Sequence, residues 1–171
     1  MLVDIESINS VRNLKLRFKN TILHPQDSQT SLKSLREPVY FQLPAGLLTQ
    51  ISPKSIHVHY SETEQAVIQR WFETLSFRTS RLGFTESVSA TPLAKTSSLS
   101  DHIWRLHDRF LQCWDTDKQE LPVSVFRSGD SIRLIIVWNG LWKKNQWGFN
   151  FRVIQIHRLP SGYDLTPPPH S

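Results

Sequence analysis

Between Ser131 and Arg158 the chain sets Trp138, Trp142, Trp147, Phe149 and Phe151 among Arg133, Lys143, Lys144, Arg152, His157 and Arg158, with no aspartate or glutamate in the stretch. Cations supply charge for phosphates and aromatic faces supply stacking surface for bases, so this mixture suits a nucleic acid. The same residues suit an ordinary antiparallel sheet, whose core takes the aromatics and whose edges lysines guard against pairing with other chains. A second basic run, Asn13 to Asn20, alternates Leu14, Leu16 and Phe18 with Lys15, Arg17 and Lys19. Period two predicts a half-buried strand with a cationic outer face. If this strand neighbours the C-terminal ones, Lys15, Arg17, Lys19, Arg133, Trp142, Lys143, Lys144, Trp147, Arg152 and Arg158 form one nucleic-acid-binding face.

Other chemistries find thinner support. His57 and His59 stand two apart on an expected strand, so they share a side and can offer two nitrogen ligands to a transition metal. Such a site needs a third and fourth ligand, for which His24, His102 and His107 are candidates only in that no sequence rule excludes them. Asp101, His102, His107, Asp108 and Cys113 crowd one expected helix, but Cys113 and Asp108 are not at a three- or four-residue step, and Cys113 lies beside the apolar stripe. His102, Arg105 and Arg109 share the flank of that helix, which reads as solvated surface or as a phosphate-contacting face. The chain has no phosphate-cradling glycine loop, nucleophile elbow or HExxH helix. A non-catalytic protein without a cofactor or a metal is therefore expected.

The elements that must position these residues follow from periodicity. Val39 to Leu43 reads as a short strand, Pro44 opens a brief helical turn through Ile51, and Ile56, Val58 and Tyr60 mark another strand. Ser61 and Glu64 have capping-box spacing, and Ile68, Trp71, Phe72 and Leu75 make the apolar stripe of a helix ending near Ser80. Ser98 or Ser100 caps a second expected helix on Ile103, Leu106, Phe110, Leu111 and Trp114. Strands are expected at 123–127, 131–138 and 147–158, with Ser128-Gly129-Asp130 as one turn and Asn139-Gly140 as the hairpin turn. The apolar phase slips between Val153 and Ile154, which implies a bulge there.

With 171 residues the chain fits one domain over 1–160, with mobile loops at 24–38 and 85–100 and an extended proline-rich tail at 161–171. The fold class is α+β: a twisted antiparallel sheet of the C-terminal strands plus the N-terminal one, with two amphipathic helices on one face. Cys113 is the only cysteine, which excludes a disulfide-stapled fold and favours a reducing compartment. Acidic residues in the first ten positions and the lack of a long apolar run point to a cytoplasmic protein with no membrane partner. The net charge of +5 favours an acidic partner. The leading expectation is an accessory subunit of a ribonucleoprotein or other nucleic-acid complex, for example an RNA-guided effector assembly, which contacts RNA in preference to DNA and also a larger protein assembly. The alternatives are a protein-interaction subunit that touches no nucleic acid and a metal-dependent enzyme or small-molecule binder using His57 and His59.

Overall fold

The computed structural model describes residues 1–23, 31–81, 101–143 and 147–160. Its centre is the antiparallel pair β8 (Ser131–Lys143) and β9 (Trp147–Arg158). Beside β8 lie β2 (Ser31–Gln42) and, at its other end, β3 (Gly46–Ile51). The sheet continues from β3 through β4 (Ser55–His59) to β5 (Asp101–Arg105). On the far side of β9, β6 (Gln112–Trp114) runs parallel to it and carries β7 (Glu120–Leu121). A short β1 (Leu2–Asp4) pairs in parallel with β2, making nine strands among the described residues. The sheet is not closed, although Leu106, just past β5, curls round to bridge Val153.

Alternation along the central strands fixes two faces. Ile132, Leu134, Ile136, Trp138 and Leu141 of β8 point inward with Phe149, Phe151, Val153 and Ile156 of β9, and all are buried. Helix α2 (Glu62–Ser80) covers this face, started by the Ser61 hydroxyl, which accepts the Glu64 amide at 3.3 Å. Its stripe meets aromatic partners: Trp71 lies 5.2 Å from both Phe41 and Phe151, and Phe72 lies 5.1 Å from Phe149. Edge-on and tilted ring pairs of this kind add roughly 0.5–1.5 kcal/mol each beyond their buried area. A short helix α1 (Ile8–Arg12) docks on α2, where Arg78 donates to the carbonyls of Val11 and Leu14.

The sheet is mixed, since two of its pairings are parallel, and several expected elements take other forms. The segment 101–114 forms β5 and β6 in place of a helix, because His102, Trp104 and Leu106 are its inward residues and they alternate with period two. His102 packs its ring 5.3 Å from Tyr60, so a histidine in the core disguised the pattern. The expected loop at 24–38 gives way to β2 from Ser31 onward, with a register shift between Ser34 and Val39 that takes up Pro38. The residues after Pro44 form β3, and Val123–Val125 is a 3-10 turn rather than part of a strand. Asn13 to Asn20 keeps its alternation, with Phe18 6.2 Å from Trp138, but joins β2 through a single bridge, Phe18 to Leu35.

Asn139-Gly140 is not the hairpin turn. β8 runs on through it to Lys143, and the connection to β9 falls at 144–146, outside the described residues. Trp138 pairs with Phe151 and Gly140 with Asn150, so Asn139 is the surplus residue of a bulge. Gly140 has φ +145, and a Cβ there would overlap the carbonyl of Lys33 in β2. The bulge expected near Val153 is present, with Ile154 as its extra residue. The remainder of the loop at 24–38, the loop at 85–100 and the tail at 161–171 also lie outside the described residues.

Candidate nucleic-acid interface

The site lies on the face of the sheet turned away from α2. Its outward positions, read along the β8–β9 pair, are Trp142 with Gly148, Gly140 with Asn150, Val137 with Arg152, Ile135 with Gln155, and Arg133 with His157. β2 adds Tyr40 opposite Val137 and Gln42 opposite Ile135.

One wall of the site comes from a surplus of chain. Leu106 sits beside Val153 and Gln112 beside Gln155, so residues 107–111 span a stretch where β9 has only Ile154. Those five residues leave the sheet and fold over its outer face. His107 anchors them: its amide donates to the Val153 carbonyl at 2.9 Å, and its Nδ1 accepts the amides of Arg109 and Phe110, each at 3.1 Å. A nitrogen that accepts two amides carries its lone pair, so the approach of Asp108 to it at 3.4 Å is not an ion pair. The turn leaves Phe110 70% exposed, with its ring 5.4 Å from that of His107.

Between this wall and the sheet lies a cavity of about 430 Å³ floored by Tyr40, Val137, Ile154 and Gln155 and faced by His107, Phe110 and Gln112. A second hollow of about 220 Å³ is floored by Gln42, Ile135, Arg133 and His157, with Lys118 and Asp115 at its rim. Tyr40 and Gln42, Val137 and Ile135, and Gln155 and His157 are successive outward positions on three adjacent strands, so the two hollows form one groove. From Arg133 to Asn139 it runs roughly 20 Å at about 3.3 Å per residue.

The charge of the groove is cationic. Arg109 is exposed, and Arg133 is half-buried with an Nε that has no hydrogen-bond partner among the described residues. Asp115 is occupied by its own turn, where Oδ1 accepts the amides of Asp117 and Gln119 at 2.8 Å each. Burial, and then the positive charge of Arg133, lowers the pKa of His157, so the ring is neutral at pH 7. Its Nε2 lies 2.9 Å from the Gln155 Oε1 and donates to it.

No protein-family model and no curated protein matches the chain. Among solved structures it is similar to the single-stranded DNA-binding protein from bacteriophage Enc34, at 12% identity and a TM-score of 0.43 over 90% of this chain and 97% of that one. The same phage protein in complex with single-stranded DNA gives 11% identity and a TM-score of 0.43, over 86% and 96% of the two chains.

The structure brings together only part of the expected set. Arg133, Arg152 and Trp142 share the outer face. Trp142 is 37% exposed and lies over Gly148, with its Nε1 donating to the Phe149 carbonyl at 3.2 Å. Arg152 is half-buried and donates to the Phe151 carbonyl at 2.8 Å; burial, and next the charge of Arg105, lowers its pKa. Trp147 is buried on the inner face, and Lys143 lays its Nζ 5.8 Å over that ring. Arg158 is a structural clamp: it donates to the Val125 carbonyl and to Asp130, and its guanidinium stacks 5.0 Å from the Phe126 ring. Lys15, Arg17 and Lys19 are exposed beside β2 and do not line the groove. Lys144 lies outside the described residues.

Sequence reasoning missed Tyr40, His107, Arg109 and Phe110 as a group. The signal was present in the His102, Trp104, Leu106 alternation, which would have put 107–111 after a strand instead of inside a helix. His57 and His59 lie on β4 opposite Ile103 and Asp101, and among the described residues no group of three or more His, Cys, Asp or Glu side chains is placed to hold a metal. No helix among the described residues is long and apolar enough to cross a membrane.

Proposed function

We propose that this chain is a non-catalytic binder of single-stranded nucleic acid, which holds the strand along the outer face of β2, β8 and β9. One observation carries the reading: Phe110 stands 70% exposed over an open groove that also holds Tyr40, with Arg109 and Arg133 as its cations. An exposed ring costs solvation and gives the core nothing. In the groove it offers a face on which a base stacks, while the arginines take up phosphates. Trp142, farther along the same face, provides a second ring toward the hairpin end. In its finer form the strand is RNA and the protein serves a ribonucleoprotein assembly as an accessory subunit, in the cytoplasm.

The test is fluorescence anisotropy with labelled oligouridine and oligothymidine of about 20 nucleotides, titrated between roughly 50 and 300 mM salt. Saturable binding that weakens steeply with salt is expected, and Arg109→Glu with Arg133→Glu should weaken it by at least ~10-fold and flatten its salt dependence. Absent or salt-insensitive binding would overturn the reading. Preference for oligouridine supports the RNA form, and preference for oligothymidine removes it.

A further inference from the structure

Another exposed aromatic stands on the opposite side of the sheet. Phe77, on α2, is 60% exposed. Steps of three and four place Arg70, Glu73, Thr74 and Arg81 on the same side of the helix as Phe77. Arg12 of α1 reaches the same hollow, an open space of about 530 Å³, and the Arg81 guanidinium leans over the Phe77 ring at 5.3 Å. Among the described residues α2 meets the sheet through Ile68, Trp71, Phe72 and Leu75, on its other side. Arg78 is committed to the backbone of Val11 and Leu14, while Arg12, Arg70 and Arg81 are exposed. Glu73, the one carboxylate lining the hollow among the described residues, already accepts the Gln69 amide at 2.9 Å.

We infer that this hollow docks an acidic protein segment carrying an apolar side chain. Arginine forks pair with carboxylates in a bidentate manner, and an aromatic ring framed by arginines is the composition of an interface anchor. The Arg81 guanidinium takes a face of the Phe77 ring on which a base would stack, which favours a peptide's apolar side chain against the rest of the ring, and the Thr74 hydroxyl is turned back to the Arg70 carbonyl at 2.8 Å. α2 covers the inner face of the sheet and the groove lies on the outer face, so the two surfaces are separated by the sheet itself. The inference does not depend on the strand-binding reading.

The probe is a fluorescein-labelled peptide of aspartates and glutamates around one phenylalanine and one leucine, titrated against the full chain. Saturable binding is expected, weakened at least ~10-fold by Phe77→Ser and by Arg70→Glu and unchanged by Phe110→Ala. A lysine-rich version of the peptide should bind Arg70→Glu with Arg12→Glu better than it binds the parent, a gain that a merely unfolded variant does not give. No saturable binding of the acidic peptide, equal binding by the Phe77→Ser chain, or its displacement by oligothymidine would each overturn the inference. Loss of strand binding with peptide binding intact would instead remove only the function proposed for the groove.

Discussion

His107 holds Phe110 in the open: its Nδ1 accepts the Phe110 amide at 3.1 Å while its own amide is fixed to the Val153 carbonyl at 2.9 Å. The ring's exposure is thus set by a side chain three residues earlier. His107→Ala removes the acceptor and should weaken strand binding by several-fold. His107→Asn, whose amide oxygen can accept the backbone two residues on, should recover most of the loss. Phe110→Ala should cost about 1–3 kcal/mol of binding, the range for one base–aromatic stack. Both are read by anisotropy, with thermal melts showing little change because neither side chain belongs to the core.

Trp142 and Trp147, five residues apart, should separate cleanly. Trp147 is 6% exposed, and replacing it by alanine should cost about 3–5 kcal/mol of stability, as expected for a large core aromatic. Trp142→Ala should cost less in urea unfolding yet weaken strand binding. Equal stability losses for the two would contradict their assignment to opposite faces.

Gly140 should resist every substitution. With φ +145 and the Lys33 carbonyl of β2 where a Cβ would go, Gly140→Ala must both strain the backbone and push β2 from β8. A loss of at least about 2 kcal/mol is expected by urea denaturation. Gly129 has φ +97 but open space around it, so Gly129→Ala should cost less.

The neutral His157 gives stability a pH dependence of known sign. Its folded pKa lies below the ordinary histidine value near 6.5, so the unfolded chain takes up a proton first as the pH falls. The contribution is therefore fully present above about pH 7 and is lost as the pH falls through the unfolded pKa toward the lower folded one. Melting temperature should decline over that window, and His157→Gln should flatten the decline.

Cys113 should be silent to thiol reagents in the folded protein. It is 3% exposed, and burial, with Glu120 adding to it, pushes its pKa up to about 11, so almost no thiolate exists near neutral pH. Labelling with a disulfide reagent at pH 8 should proceed only at the rate of unfolding, and should become fast in denaturant.

Where one local pattern decides an element, the sequence already showed it. α2 announces its cap at Ser61 and its stripe from Ile68 to Leu75, and β9 announces its bulge through the phase slip at Ile154. The segment 101–114 was illegible because its apolar residues satisfy two periods at once, and the choice between them depends on partners far away in the chain, Val58 for His102 and Val153 for Leu106. Asn139-Gly140 misled for a similar reason: a glycine needed for a turn and one needed for close approach to a neighbouring strand look alike until the neighbour is known. The candidate site suffered most. Its outward cations Arg133 and Arg152 follow from alternation, but the pairing of Tyr40 with Val137 and the loop that brings Phe110 over them are long-range facts.

The five residues between Leu106 and Gln112 form no ladder of their own and are held by the bonds of one histidine and by Leu111, which packs against the core. Their number can therefore change without altering a single inward side chain of β9. A lineage could lengthen, shorten or recolour this flap and retune affinity while the sheet beneath kept its melting temperature, which divides the molecule into a part that bears load and a part free to evolve.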